Sequence, residues 1–358
     1  MRNPLFNAAT AIGLAGTMIF SAPAGAQQSL TVVSGGGAYA KSQIEAYHKP
    51  FAKETGIAVN AADYNYELGP IRAQVESGNV NWDVAVVEEH AALRGCEEGL
   101  FTRIDASILP PAPDDTPATE DFIEETIGEC AVGEVIWSLV YAYDKNRYSG
   151  AKPQTAADFF DLERFPGKRG MKKWAKGNLE YALMADGVPP ERVYDVLSTE
   201  EGVNRAFAKL DTIKDEVVWW EAGAQPVQLL ADGEVAMTTA FNGRLFNAIV
   251  KEGQPFEIVW DGQNWNLDMW AIVRGTKRLD AARRFVAFAS RPDRMADQTN
   301  YISYSPVRRS ALELAAKDVK PHLPTYPENF KNALKVDVQW WGDNLDTMNE
   351  RFNAWLAR

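Results

Sequence analysis

Residues 260–275 read Trp-Asp-Gly-Gln-Asn-Trp-Asn-Leu-Asp-Met-Trp-Ala-Ile-Val-Arg-Gly, and the rest of the chain can be placed around them. The apolar residues Met269 to Val273 are typical of a strand buried inside a sheet. Asp268 directly precedes them, so its carboxylate should lose much of its hydration and need a cation nearby. That cation is either an arginine or lysine of the protein, or the ammonium of a ligand that is held among aromatic faces.

A second charged residue, Arg244, follows the apolar run 235–241 and the dipeptide Asn242-Gly243. A planar guanidinium can donate two parallel hydrogen bonds to a carboxylate. Arg244 and Asp268 are therefore predicted to form the positive and negative poles of a ligand cleft. The alternative is structural, namely an ion pair between Arg244 and the protein's own Asp268 or Asp261.

The first 26 residues have the pattern of a secretory signal peptide. Arg2 supplies the charged start, residues 8–20 are mostly apolar, and Ala24-Gly25-Ala26 resembles a cleavage site before Gln27. The apolar stretch is shorter than a membrane-spanning helix, and no later segment approaches that length. We expect residues 1–26 to be removed and the mature protein to be soluble in the periplasm.

Charge and cysteine content exclude several classes of function. A net charge of −12 argues against a nucleic-acid or anionic-membrane partner. The only two cysteines, Cys96 and Cys130, favour a disulfide in an oxidising compartment, the alternative being two buried free thiols. The three histidines lack the spacing of zinc ligands, so neither a metal nor a cofactor is predicted.

Strand patterns alternate with helical patterns in the first hundred residues. The predicted strands 30–33, 57–64 and 82–87 are separated by amphipathic segments, as in βαβ units with a mostly parallel sheet. The turn Ser34-Gly35-Gly36-Gly37 lacks the lysine of a P-loop and the spacing of a dinucleotide fingerprint. Glu88 follows the third strand, at the sheet edge where ligands bind in open α/β folds.

Residues 133–144 give the longest strand signal, which suits a segment that passes from one lobe to another. Residues 165–176 contain five cations, and a solvated surface or a protein contact is favoured over a ligand role for them.

No enzymatic site is predicted. The chain has no Gly-x-Ser-x-Gly elbow, and the adjacent Glu88 and Glu89 should point to opposite faces of a strand. Aromatic residues are abundant, with 11 tryptophans and 12 tyrosines. Several lie beside predicted strand ends, and most of these should pack in the core while a minority contact a ligand.

Eight short motifs occur in order between residue 30 and about residue 312. They are Phe51-Ala-Lys-Glu-Thr-Gly-Ile57, Trp82-Asp-Val-Ala-Val-Val87, Val135-Ile-Trp137, Phe165-Pro-Gly167, Gly233-Glu-Val235, Phe241-Asn-Gly243, Leu267-Asp268 and Tyr304-Ser-Pro306. In this order the chain resembles the spermidine/putrescine-binding family of extracellular solute-binding proteins, which serve ABC importers.

The resemblance implies a type II periplasmic binding protein fold, an α/β architecture with two lobes, a mixed and mostly parallel sheet in each lobe, and a ligand cleft between them. Residues 27–136 and 267–304 would form the N-terminal lobe, and residues 137–266 and 305–358 the C-terminal lobe. Chain crossovers would lie at 135–144, at 267–274 and near 303–308.

Departures from the polyamine pattern suggest a different ligand. Asp268 matches the family's amine-binding aspartate, but the glycine turn replaces an aromatic pair and Asn266 replaces a tryptophan. In polyamine binders this region supplies a second carboxylate, but in this chain it reads Lys172-Lys173-Trp174-Ala175-Lys176-Gly177. Arg244 stands where polyamine binders have a small residue. A guanidinium in a closed cleft repels a polycation and attracts a carboxylate. The chain thus resembles a sub-branch that binds 4-aminobutyrate and similar ω-amino acids.

This resemblance implies that Arg244 and the backbone of the glycine turn bind the ligand carboxylate, that Asp268, helped by Glu88, binds its ammonium, and that aromatic side chains enclose its methylene groups. The predicted ligand-binding residues are Ser34, Gly35, Gly36, Tyr39, Glu88, Trp137, Trp174, Phe241, Arg244, Asp268, Trp270 and Tyr304.

The predicted protein is a monomer that delivers a small zwitterion to an inner-membrane ABC permease. Two other ligands stay open, a polyamine such as putrescine or spermidine and a betaine or sulfonium zwitterion. An enzyme on the same scaffold is disfavoured, since no catalytic constellation is present.

Overall fold

The computed structural model describes residues 29–358. The predicted signal peptide and its cleavage site lie outside this part of the chain. Among the described residues, no helix combines the length and the apolar character that a membrane crossing requires.

Two long strands organise the sheet. The strands are β1 (Ser29–Ser34), β2 (Ala58–Asp63), β3 (Val84–Glu88), β4 (Ala131–Asp144), β5 (Arg169–Lys172), β6 (Val217–Trp220), β7 (Met237–Phe241), β8 (Phe256–Ile272), β9 (Ser305–Pro306) and β10 (Leu334–Lys335). The main order is β2-β1-β3-β8-β4-β7-β5-β6, with β9 beside β4 and β10 beside β8. The antiparallel pair of β4 and β8 lies at its centre.

The two ends of this sheet belong to two lobes. β1, β2 and β3 are parallel in the N-terminal lobe, and β5, β6 and β7 are parallel in the C-terminal lobe. β4 and β8 are antiparallel to their neighbours β7 and β3, so the sheet is mixed. The predicted two-lobe α/β architecture is confirmed, with the difference that β4 and β8 join both lobes in one continuous sheet.

The length and composition of β4 explain the crossover. Its sequence is apolar and aromatic almost throughout, and every residue from Ala131 to Tyr143 is buried. Fourteen residues extend about 46 Å at roughly 3.3 Å per residue, which is longer than an ordinary strand. The sequence predicts a strand from Met269 onward, but β8 starts at Phe256 because its pairing with β4 also includes residues 264–268 and 256–259.

Helices cover both faces of the sheet. They are α1 (Gly37–Gln43), α2 (Lys49–Thr55), α3 (Leu68–Ser77), α4 (Glu89–Glu97), α5 (Ala118–Asp121), α6 (Ala156–Phe160), α7 (Asn178–Ala185), α8 (Val193–Leu197), α9 (Glu200–Asp211), α10 (Gln225–Ala231), α11 (Asn242–Phe246), α12 (Leu279–Ala289), α13 (Pro292–Gln298), α14 (Arg309–Leu314) and α15 (Val338–Leu356). Short π-helical turns, Ile44–His48 and Asn247–Lys251, link α1 to α2 and extend α11.

Burial of apolar faces fixes the helices on the sheet. In α12 the apolar residues Ala282, Phe285, Val286 and Ala289 are all buried. In α15 the indole N–H of Trp341 donates to Glu180 Oε1 at 2.7 Å, which ties the terminal helix to α7. Trp341, Phe352 and Trp355 of α15 are buried, while Trp340 is only partly buried.

A disulfide and a buried ion pair add further links between segments that are distant in sequence. Cys96 and Cys130 form a disulfide that links α4 to the residue before β4, as predicted. Arg308 forms a buried ion pair with Asp121 at 2.6 Å, and the following helix α14 packs against α13. The lobe boundaries expected from the sequence remain a prediction.

Candidate ligand-binding cleft

A cavity of about 950 Å³ lies between the two lobes. The carboxyl ends of β1, β3, β5, β6 and β7 all open into it, which is where ligands bind in α/β sheets. The middle of the two crossover strands forms its floor, with Trp137 from β4 and Asp268 from β8. α15 contributes Leu345, Asp346 and Asn349 to its rim.

Asp268 is a buried carboxylate on the floor of this cavity, with 2% of its surface exposed. Its Oδ1 accepts a hydrogen bond from the indole of Trp137 at 2.7 Å, and its Oδ2 accepts one from the Tyr66 hydroxyl at 3.2 Å. Within residues 29–358 it has no ion-pair partner. Burial, together with the neighbouring Glu88 carboxylate, raises the pKa of Asp268 to about 7.

Arg244, in α11, lines the same cavity. In the described part of the chain its guanidinium forms neither an ion pair nor a side-chain hydrogen bond, and its Nε is buried without a partner. The structural alternative therefore does not apply. Asp268 is not paired with Arg244, and Asp261 instead accepts hydrogen bonds from the backbone of Ala156 and from Asn332.

Two glycines make room for this guanidinium. A Cβ atom on Gly37 would lie 2.7 Å from Arg244 Nη1, and one on Gly223 would lie 2.8 Å from Nε. Gly37 also has a φ of 61°, which other residues adopt only at a cost. Arg244 is therefore held between the first turn of α1 and the loop after β6, one from each lobe.

Glu88, at the end of β3, differs from Asp268 in having a cation of its own. Lys176 forms an ion pair with Glu88 Oε2, and both side chains are almost completely buried. The amide of Asn266 donates to the same oxygen at 3.0 Å. Burial alone would raise the pKa of Glu88, but Lys176, with smaller contributions from His90 and Lys172, more than offsets this effect, so the pKa is lowered.

Lys172 adds a further cation to the same cavity. Its Nζ lies 3.0 Å from the centre of the Trp174 ring and 5.3 Å from that of Phe241. Among the described residues it has no carboxylate partner. Burial is the main cause that lowers the pKa of Lys172 to about 7; Glu88 acts in the opposite direction, while Lys176 and Arg244 add to the lowering.

Aromatic side chains form the remaining walls. Tyr39 and Tyr304 meet edge to face at 5.3 Å, and Trp137 meets Phe241 in the same way at 5.2 Å. Burial raises the pKa of Tyr304, which Arg244 lowers and Asp268 raises, so this ring lies within electrostatic reach of both poles. Such walls can pack against the methylene groups of a ligand and exclude water.

A buried carboxylate behind the cavity positions Tyr39. Glu134 is the extra residue of a β-bulge between Gly133 and Val135, so its side chain leaves the regular pattern of β4. Its oxygens accept hydrogen bonds from Tyr39, Gln43 and Gln298 at 2.8–3.0 Å. Burial raises the pKa of Glu134 to about 8.

Most of the predicted site residues meet in this cavity. Those that line it are Gly35, Tyr39, Glu88, Trp137, Trp174, Phe241, Arg244, Asp268 and Tyr304. Ser34, Gly36 and Trp270 do not line it. Trp270 lies fully buried in the core of the N-terminal lobe, where it packs edge to face against Tyr47 and Phe285.

Two sequence-based interpretations need correction, and one residue of the site was missed. Glu88 was expected to help bind an ammonium, but Lys176 already neutralises it. Lys172 and Lys176 were expected at a solvated surface or a protein contact, yet both line the cavity. Tyr66 was not predicted at all, although it contacts Asp268.

The family profile described as bacterial extracellular solute-binding protein matches residues 46–325. The chain belongs to this family. Members are transport proteins that bind small molecules outside the cytoplasm and deliver them to ABC permeases, which confirms the predicted class, the periplasmic location and the absence of an enzymatic role.

Known relatives agree with this assignment. This solute-binding protein is 47% identical to the gamma-aminobutyric acid-binding protein of Pseudomonas aeruginosa, over 99% of this chain and 97% of that protein. It is 32% identical to a GABA receptor of known structure, with a TM-score of 0.81 over 92% of this chain and 98% of that one. It is 22% identical to the putrescine-binding periplasmic protein PotF of Escherichia coli, over 85% of each. The predicted kinship with polyamine binders and GABA binders is thereby confirmed.

Metal binding finds no support in the described residues. No group of three or more histidine, cysteine, aspartate or glutamate side chains is placed there to hold a metal ion.

Proposed function

We propose that this solute-binding protein captures 4-aminobutyrate or a similar ω-amino acid. Asp268 receives the ammonium of the ligand, and Arg244 receives its carboxylate with help from the charge of Lys172. The observation that carries the proposal is that Asp268 and Arg244 line one cavity, while neither has an ion-pair partner among the residues described. A ligand with both charges satisfies both groups at once.

Electrostatics favour this ligand class over one with a single sign of charge. A charged group that is buried without a partner loses hydration, and an opposite charge at hydrogen-bonding distance restores that loss. A monoamine would leave Arg244 unsatisfied, and a simple carboxylic acid would leave Asp268 unsatisfied. The 47% identical GABA-binding protein of Pseudomonas aeruginosa supports the same class.

Isothermal titration calorimetry on the purified protein tests the proposal with matched ligands. The set is 4-aminobutyrate, n-butylamine, butyrate, putrescine and the trimethylated analogue of 4-aminobutyrate. We expect 4-aminobutyrate to bind at least about a hundredfold more tightly than n-butylamine or butyrate, since each lost charge pair should cost about 3 kcal/mol. Equal or tighter binding of putrescine would support a polyamine receptor, and preference for the trimethylated analogue would support a betaine receptor.

We also propose that the protein is a monomer when it delivers the ligand. Light scattering of the ligand-free and ligand-bound protein should give the mass of one chain in both states.

A further inference from the structure

Two carboxylates lie side by side in the cavity. Glu88 and Asp268 are directly paired residues of the neighbouring strands β3 and β8, and both line the same space. They expose only 7% and 2% of their surfaces. Two buried carboxylates within an aromatic cavity are a chemical match for a ligand with two amines.

One of these carboxylates is matched by the protein itself. Lys176 comes from the segment after β5, in the opposite lobe, and its Nζ pairs with Glu88 Oε2. His90 Nδ1 lies 3.4 Å from the same oxygen, but burial and the charge of Lys176 lower the pKa of His90 to about 3, so this ring is neutral at pH 7. Of the described residues, Lys176 is thus the cation that neutralises Glu88.

The backbone around Lys176 holds the ammonium in place. The N–H of Ala175 donates to Asn349 Oδ1 at 3.1 Å, and the N–H of Gly177 donates to Glu180 Oε2 at 2.8 Å. The Asn178 amide donates to the carbonyl groups of Lys172 and Trp174. Removing the Lys176 ammonium should therefore expose Glu88 to the cavity while the segment keeps its course.

We propose that Lys176 is a specificity-determining residue that serves as a built-in ammonium and prevents diamines from using Glu88. This inference rests on the proposed role of Asp268 as the receptor of the ligand's ammonium. With Lys176 present, the cavity offers one free carboxylate, and a ligand with one amine satisfies it. Without Lys176, the cavity offers two, which favours a diamine.

The test measures putrescine binding by calorimetry to the wild-type protein and to Lys176→Met. We expect putrescine to bind at least about tenfold more tightly to the variant, because its second ammonium gains a charge-assisted hydrogen bond to Glu88. Lys176→Gln is a second variant, in which the amide can still donate to Glu88 and protect the fold while the positive charge is gone. The gain should appear there too.

Two controls separate charge from a general disturbance. Glu88→Gln combined with Lys176→Met removes both members of the pair and should abolish the gain. Lys168→Met removes an exposed lysine from the same basic segment, away from the cavity, and should leave putrescine binding as in the wild type.

Wild-type selectivity in both Lys176 variants, or a gain that persists in the double variant, would overturn the inference. The readout uses putrescine alone, so it is distinct from the test of the proposed function. Failure of the wild-type protein to bind 4-aminobutyrate would refute that function, whatever affinity the Lys176 variants have for putrescine.

Discussion

Glu88 and Asp268 are neighbouring carboxylates in one cavity, but their surroundings differ. Glu88 has the ammonium of Lys176 against it, and its pKa is lowered in spite of burial. Among the described residues, Asp268 accepts hydrogen bonds from the neutral donors Trp137 and Tyr66 and has no cation paired with it, and burial raises its pKa to about 7. Under the proposed function, the charge of the ligand follows from the carboxylates that the protein leaves unpaired, rather than from the number that it places in the cavity.

The same contrast holds for the cations. Lys176 is fully committed to Glu88, whereas Arg244 has no partner in the part of the chain that the structure describes. Each lobe thus contributes to one internal pair and to one unsatisfied pole. Under the proposed function, a zwitterion bound between Arg244 and Asp268 supplies the missing partner of each.

The largest effect is expected from Asp268→Asn. The amide keeps the size of the side chain but removes the charge that the ammonium needs, so affinity for 4-aminobutyrate should fall about a hundred- to a thousandfold. Calorimetry measures this loss. Asp346→Asn, at the rim, removes a carboxylate whose side chain is 82% exposed and should change affinity less than threefold.

Although Asp268→Asn lowers the affinity for the ligand, it should raise the free energy of unfolding of the ligand-free protein at neutral and alkaline pH. The folded pKa of about 7 lies above the unfolded value of about 3.9, so the folded state binds this proton more tightly. The free energy of unfolding therefore declines as the pH rises from about 4 to about 7, and Asp268→Asn abolishes this decline. Urea unfolding at pH 5 and pH 8 would contradict the assignment if wild type and variant showed the same pH dependence.

Glu88→Gln should destabilise the protein, in contrast to Asp268→Asn. The substitution leaves Lys176 buried without its counterion, which typically costs about 3–5 kcal/mol. Urea unfolding measures the change. If Glu88→Gln and Asp268→Asn shift stability in the same direction, the two carboxylates do not differ as described.

The pH dependence of binding should have two limbs. Below pH 7, protonation of Asp268 removes the partner of the ligand's ammonium, so affinity should fall by up to about tenfold per pH unit. Above pH 7, Lys172 loses its charge and the ligand carboxylate loses part of its attraction. Calorimetry from pH 5 to pH 9 measures both limbs. Lys172→Met should remove the alkaline limb only, and an unchanged alkaline limb would exclude a role for Lys172.

A smaller effect is expected from Gly223→Ala. The added methyl group would approach Arg244 Nε within 2.8 Å and displace the guanidinium, so affinity for 4-aminobutyrate should fall about three- to tenfold. Gly150→Ala is the matched control, since a Cβ there meets no atom within 4 Å. Equal affinities of the two variants would show that the position of Arg244 is not set by this contact.

The sequence predicts the scaffold and the two poles because both depend on local pattern. Asp268 and Arg244 each adjoin a strand that reads as apolar, and strand ends of an α/β fold meet at a cleft. The burial of Lys172 and Lys176 in the cavity could not be predicted from local pattern. A cluster of cations looks like a solvated surface in sequence, and its burial depends on the other lobe, which supplies Glu88.

The sequence does not separate the aromatic residues of the cavity from those of the core. Trp137 and Trp270 both lie on crossover strands, yet one lines the cavity and the other lies in the core. Residues 266–272 are buried without exception, so strand alternation gives no signal that separates cleft from core. Tyr66 follows β2 in a loop with a φ of 64°, where no periodicity applies.

The most direct measurement compares 4-aminobutyrate with n-butylamine on wild-type protein and on Arg244→Met. The two ligands differ only in the carboxylate. If Arg244 is the carboxylate pole, wild type should prefer 4-aminobutyrate by at least about a hundredfold, and the variant should bind both ligands with similar affinity. A variant that keeps the wild-type preference would show that the carboxylate is bound elsewhere and would contradict the two-pole account.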